Sequence, residues 1–327
     1  MSSKTTKPCV VVVVVTWNGV EDTLHCLTAL RRLSTPGVAT VLVDNASRDG
    51  TPATVRRYFP EVTVIENGAN RGYVEANNQG IAWALAAGAG WILLLNNDVI
   101  LAPDALDELL AVSREVPGAG SGEAGILGPC MQRTLRPDIV DLGGDLDFTW
   151  GNVRLRRYEP WMADRRWLPV DYVWGCVLLA RAEVFRQVGL LDPIYVAYFE
   201  DADLCVRARK AGFRTVVALR AASTHKVGGA GEKRFLWQTF YRLRNHALFF
   251  LRHTAGWQRL TLIPALLGYH FPFILLQSTR AYLARRLRRR KYAARPITLW
   301  GYERALEPPQ PEQIERTLHD AGYFASG

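Results

Sequence analysis

Three short stretches carry side chains that could move a proton or hold a cation. YFEDADLC brings Glu200, Asp201 and Asp203 together, and a carboxylate within reach of a hydroxyl can take its proton. The same three acids would also suit the first turn of a helix, where the dipole favours negative charge without any chemistry. Arg207, Arg209 and Lys210, one turn on, read as solvated or paired charges. LLLNNDV ends its polar part on Asp98, a ligand of the type that hard divalent cations take together with phosphate oxygens. STHKVGG carries His225; a lone histidine is as a rule structural. No GxGxxG follows the first apolar run and no GxxxxGK[ST] occurs anywhere. A dinucleotide or P-loop phosphate cradle is therefore missing. A nucleoside diphosphate here would need a cation near Asp98 to neutralise it.

The elements that must position these residues begin with six consecutive valines at 10–15. The run is followed by Thr16-Trp17-Asn18, a poor signal-peptide cleavage site, and is far short of the ~20 apolar residues that span a bilayer. Branching at Cβ favours a strand, and an unbroken apolar run suits one covered on both faces. We read it as the central strand of a parallel sheet in a chain that starts in the cytoplasm. Helical spacing at 20–33, 52–59 and 73–87 alternates with the strands ATVLVD, VTVIE and WILLL. This alternation predicts an α/β, mostly parallel, doubly wound sheet with helices on both faces. TWNG, DNASRDGT, NGANRGYVEANNQG and NNDV each follow directly on a strand. They fall on the carboxyl edge of the sheet, where ligands bind in such folds. Residues 118–122 read as a loose connection, and the glycine pairs 143–144 and 228–229 as flexible loops, the second suited to a lid.

At 327 residues, with 49% hydrophobic and 22% charged content, the chain has the composition of a folded protein rather than a disordered one. Five cysteines without a CxxC pair argue for reduced thiols. The net charge of +9 implies an anionic partner. Much of it sits in one place: Arg280, Arg285, Arg286, Arg288, Arg289, Arg290, Lys291 and Arg295 follow an uncharged apolar stretch at 260–279. That stretch is long enough to span, but Pro264, Gly268, His270 and Pro272 interrupt it. An apolar segment beside arginines suits the membrane interface, with its cations on anionic headgroups. No aromatic-basic motif of a nucleic-acid module accompanies the cluster, so nucleic acid is not expected as a partner.

VVVVTWNG, VDNASRDGT, NRGYVEANNQG, LLLNNDV, WGCVLLARAEVFRQVGLLDP, YFEDADLCVRARKAGF and STHKVGG occur in that order. As a set they resemble the family 2 glycosyltransferases of the GT-A fold, in the branch that contains bacterial rhamnosyltransferases. The resemblance runs from about 10 to 226 and more loosely through 241–253. It implies a GT-A domain over 1–235, with a nucleotide-binding half at about 8–117 and an acceptor half at about 118–235. Residues 236–327 would form a C-terminal helical, basic, membrane-associating region. It implies inverting, metal-dependent transfer of a sugar from a dTDP- or UDP-linked donor, dTDP-L-rhamnose among the options. The acceptor would be a glycan or polyprenyl-linked hydroxyl in cell-surface polysaccharide synthesis. The enzyme would sit peripherally on the inner face of the cell membrane, with 280–295 on anionic lipid.

Residue by residue, the resemblance gives Thr16, Asn18 and Asp44 to the base and ribose. Asn70, Asn78 and Asn97 go to the nucleotide-sugar pocket. Asp98 and His225 would hold Mg²⁺ or Mn²⁺, the usual DxD reading Asn96-Asn97-Asp98 here. Asp201 is the expected general base, with Glu200 orienting the acceptor and Asp203 structural. Trp174 and Gly175 would line the acceptor side, although an aromatic there serves a core equally well. The competing expectation is a catalytically impaired GT-A protein that binds nucleotide-sugar or an anionic surface. A nucleotidyltransferase would need a glycine- and arginine-rich loop where TWNG stands.

Overall fold

The computed structural model describes residues 9–116, 123–134, 136–226, 234–291 and His319. Its first half is β1 (Val10–Thr16), α1 (Val20–Arg31), β2 (Val38–Asp44), α2 (Thr51–Tyr58), β3 (Thr63–Glu66), α3 (Tyr73–Ala86) and β4 (Trp91–Asn96). The valine run divides between two cores, as a doubly covered strand must. Val11 and Val13 pack with Ile81, Ile92 and Leu94 on one face. Val10, Val12 and Val14 pack with Leu24, Leu27 and Leu42 on the other. Each such valine contributes roughly 1.5 kcal/mol or more by leaving water. α3 lies so close to β1 that a Cβ on Gly80 would meet Val13 Cγ1 at 2.2 Å, so glycine is required there.

The second half is β5 (Val99–Leu101), α4 (Ala105–Glu115), β6 (Ala124–Arg133), β7 (Arg136–Asp147), β8 (Asn152–Arg157), β9 (Trp167–Pro169), β10 (Val177–Arg181), α5 (Ala182–Val188), α6 (Glu200–Lys210), β11 (Arg214–His225), α7 (Arg234–His253), α8 (Gln258–Ala265) and α9 (Phe271–Lys291). The sheet runs β3-β2-β1-β4-β10-β6-β11-β5, with β7, β8 and β9 attached at the side. The first four strands are parallel, as the alternation predicts. Beyond them the sheet is mixed. β10 enters from the 170–176 loop without a helical crossover and so lies antiparallel to both β4 and β6. β11 is parallel to β6 and antiparallel to β5.

One expectation changes. Gly143 and Gly144 form no flexible loop: they lie inside β7. Gly143 has φ +82°, and a Cβ there would meet the Tyr172 carbonyl oxygen at 2.2 Å, so this glycine serves a tight backbone crossing. The core also takes in residues of the C-terminal helices. Phe249 and Phe250 of α7 and Leu262 of α8 are buried in the same cluster as Leu178 and Tyr195. The 118–122 connection, the 228–229 pair and the tail beyond 291, save His319, fall outside the described residues. Gln258–Arg280 is helical, has mean hydropathy 1.5 and is long and apolar enough to cross a membrane. Only 17% of its apolar window is buried.

Candidate active site

Parallel register places the ends of the first strands side by side: Thr16 opposite Asp44, and Val15 opposite Asn96. Asp44 is buried. One carboxylate oxygen accepts from the Ser47 N–H at 2.8 Å, while Oδ1 has no partner. Burial raises its pKa, only partly offset by the Ser47 hydrogen bonds. A carboxylate held this way is set to accept a donor from a ligand. Asn18, in the left-handed region at φ 51°, ties this edge together. Its N–H donates to Ser47 Oγ and its Oδ1 accepts from the Arg48 N–H.

Thr16 and Asn97 share one hydrogen-bonded cluster. The Thr16 hydroxyl is 2.9 Å from that of Thr23, and Asn97 Nδ2 donates to both hydroxyls. Both side chains form a polar joint under the β1–α1 turn. Asn78 bonds to backbone. Its amide both donates to and accepts from the Leu191 backbone, pinning α3 to the 190–195 segment. Asn70 is exposed, and its Oδ1 accepts from the Gly72 N–H, shaping the loop ahead of α3.

Asp98 and His225, 127 positions apart in sequence, come together because β11 pairs with β5 just past the Asn97-Asp98 turn. Asp98 Oδ1 lies 3.3 Å from His225 Nε2. Neither Asp98 Oδ1 nor His225 Nδ1 has a hydrogen-bond partner. Carboxylate oxygen with imidazole nitrogen fits Mn²⁺ or Mg²⁺. Among the described residues no group of three or more His, Cys, Asp or Glu could hold an ion by itself. Further ligands would have to come from a bound phosphate.

The acidic motif opens α6. Asp201 Oδ2 accepts from the Gly175 N–H at 2.8 Å and Oδ1 from the Ala202 N–H at 2.8 Å. Gly175 therefore fixes the orientation of Asp201, and a Cβ there would come within 3.2 Å of the Asp201 Cβ. Burial raises the Asp201 pKa against these backbone donors. Glu200 is buried with Oε2 unpartnered, and burial followed by the neighbouring Asp201 charge holds its pKa well above the usual range. Trp174 stacks edge-on against Tyr172 at 5.7 Å with its Nε1 buried and unpartnered. Asp203 faces away into a buried network with Tyr195, Arg207 and His253, the structural role expected of it. Immediately before the helix, Val196, Tyr198 and Phe199 all adopt φ between +63° and +72°. Such conformations cost about 1–3 kcal/mol each and concentrate at functional sites.

Sequence reasoning missed Tyr73 and Asn45. The Tyr73 hydroxyl donates to the Gly175 carbonyl. Burial, then the charges of Glu200, Cys176, Asp201 and Asp98, keep it protonated well above its ordinary range. Tyr73 thus holds the carbonyl of the same Gly175 whose N–H holds Asp201. Asn45 orders the 70–72 loop through Gly72 and Arg71. Tyr73 stands within NRGYVEANNQG, but nothing local marked it. Among the described residues, Asp44, Asp98, Trp174, Glu200 and His225 are five of the eight with a buried, unpartnered side-chain polar atom. Such atoms are rare in native proteins, and five of them on residues that the sequence also singles out suit ligand partners.

The profile described as Glycosyl transferase family 2 matches residues 11–118. N-acetylglucosaminyl-diphospho-decaprenol L-rhamnosyltransferase of Mycobacterium tuberculosis is 31% identical over 273 residues, covering 76% of this chain and 86% of its own. A low-salt glycan biosynthesis hexosyltransferase of Haloferax volcanii is 25% identical over 173 residues, 52% of this chain and 53% of that one. The mannosyltransferase of Pyrobaculum calidifontis, solved with GDP-Man and Mn²⁺, superposes with TM-score 0.55 at 19% identity, covering 98% of this chain and 87% of that one. S. aureus TarS 1-349 with UDP gives TM-score 0.54 at 16% identity, covering 81% and 72%. These neighbours support the GT-A-like fold. With the mycobacterial relative matched over most of both chains and the profile over the parallel half of the sheet, the chain belongs to glycosyl transferase family 2.

Proposed function

We propose that the protein is an inverting, metal-dependent glycosyltransferase that moves L-rhamnose from dTDP-L-rhamnose to a hydroxyl of a polyprenyl-diphosphate-linked glycan. The observation that carries this reading is the Asp98–His225 pair, brought together across the fold, beside a buried acidic pair in which Asp201 is held by the Gly175 N–H and Glu200 keeps an oxygen without a hydrogen-bond partner. Asp44 would accept from the base or ribose of the donor, on a platform fixed by Asn18. Asp98 and His225 would hold Mg²⁺ or Mn²⁺, which when bound offsets charge on the departing diphosphate. Asp201 takes the proton of the acceptor hydroxyl as that oxygen attacks the anomeric carbon opposite the leaving diphosphate. Its two backbone donors fix the orientation of the carboxylate. Glu200, whose burial favours the neutral acid, would donate to an acceptor oxygen, and Trp174 would offer its N–H. The mycobacterial relative's acceptor and the exposed apolar face of Gln258–Arg280 support a lipid-linked acceptor and a membrane-surface location.

The test is transfer from dTDP-L-rhamnose to an N-acetylglucosaminyl-diphospho-polyprenol with Mn²⁺, with Mg²⁺ and with EDTA. We expect turnover that EDTA abolishes, and an Asp201→Asn variant that binds donor normally but is slower by about 10²–10⁴-fold. Full activity in Asp201→Asn, or in EDTA, removes the base or the metal from the mechanism.

A further inference from the structure

One residue near the approach to Asp201 lies outside the quoted motifs, in the 241–253 stretch where the family resemblance is looser. The 194–199 segment that launches α6 is neither helix nor strand for most of its length, yet each carbonyl along it is engaged. Ile194 accepts from Arg244, Val196 from the Val74 N–H, and Phe199 from the Asp203 N–H. The remaining three, Tyr195, Ala197 and Tyr198, lie 2.7, 2.7 and 3.0 Å from Asn245 Nδ2, whose two N–H groups are shared among them, and Tyr195 also accepts from the Ala197 N–H. Asn245 is fully buried on α7. Its Oδ1 accepts from Arg244 Nη1 at 2.9 Å, which fixes the amide with Nδ2 toward the carbonyls.

That clamp holds the peptide units on either side of Val196 and the Tyr198 carbonyl, in a segment where Val196, Tyr198 and Phe199 all have positive φ. Without it, the Ala197 and Tyr198 carbonyls, both part-buried, lose the donor that holds them, and the positive φ values of the segment lose a restraint. Relaxation would turn the peptide planes that feed directly into Glu200 and Asp201. The body of α6 is held separately, by Asp203 with Arg207 and His253, so the displacement would stay within the first turn. We infer that Asn245 is a positioning residue: its amide holds the strained launch of α6 so that Asp201 meets the acceptor hydroxyl in line. This rests on Asp201 being the base.

The experiment compares wild type, Asn245→Ala, Asn245→Ser and Asp201→Asn in the full chain. It measures transfer from dTDP-L-rhamnose, thermal melting, and amide hydrogen exchange. For Asn245→Ala we expect turnover to fall about 100-fold while KM for the donor stays within about threefold, the pattern of a misplaced catalytic group. Faster exchange should be confined to 194–203. Asn245→Ser, which keeps one donor, should recover part of the loss. Turnover within about threefold of wild type in both variants overturns the inference. So does a loss of turnover that tracks a general loss of melting temperature and of exchange protection across the sheet. Turnover retained by Asp201→Asn removes the base assignment itself. A dead Asp201→Asn beside a fully active Asn245→Ala removes only the positioning role.

Discussion

Glu200 and Asp201 are neighbours in sequence but differ in what surrounds them. Asp201 keeps two backbone N–H donors, whereas one oxygen of Glu200 is buried against nothing. Burial raises both pKa values. A base works only when ionised, so transfer should decline with falling pH at a higher pH than the ordinary aspartate value of 3.8 implies. Glu200 yields a separate stability prediction. Its folded pKa lies above the unfolded value of 4.5, so its contribution is fully present below that value. It is lost as pH rises through the folded pKa. Glu200→Gln cannot ionise, so its melting temperature should exceed that of wild type at pH 8 by about 2 °C or more. The difference should vanish near pH 4. An equal difference at both pH values would mean that the gain has nothing to do with ionisation.

α6 and α7 act as a pair. Asp203 takes Arg207 at 2.7 Å and His253 at 2.8 Å in a site where its own exposure is 0%. Burial works against ionisation, but His253 and Arg207 outweigh it and hold the Asp203 pKa below 3.8. That stabilisation is present above the unfolded pKa and is lost as pH falls through the lower folded value. Asp203→Asn breaks a buried pair and should cost about 3 kcal/mol or more, read as a shift in the denaturation midpoint at pH 7. The cost should shrink in acid. An unchanged midpoint would mean that α7 does not brace α6 through this carboxylate. Phe249 and Phe250 complete the brace by packing on Phe148 and Phe199.

For the whole molecule, the consequence is a long apolar helix fixed to the catalytic core. Leu262 is buried in that core, and His270 Nε2 lies 2.8 Å from the Trp150 carbonyl. On the other side Leu260, Leu267 and Tyr269 are exposed by 77%, 64% and 56%. Three large apolar side chains open to water on one short segment match a membrane-facing surface. Leu260→Glu with Leu267→Glu should abolish co-sedimentation with vesicles of anionic phospholipid. Transfer to a short, water-soluble acceptor analogue should be unchanged. Undiminished vesicle binding would move the membrane contact to another face.

Local chemistry made much of this protein legible from its sequence. Six β-branched residues in a row specify a strand covered on both faces, and alternation with helical spacing specifies parallel strands whose ends share an edge. The acids of YFEDADLC and the carboxylate of NNDV are written in the order of residues. Tertiary structure decided what the period of a strand or helix does not encode. It reversed β10 and so brought Gly175 onto Asp201. It set His225 beside Asp98 across a gap of 127 positions. It paired Thr16, Asn78 and Asn97 within the chain, because a buried hydroxyl or amide bonds to whichever partner the packing supplies. It also placed Asn245, one amide in an amphipathic helix, beneath the strained turn that carries the acids. A side chain's type is local, but its partner belongs to another part of the chain, and only the fold brings the two together.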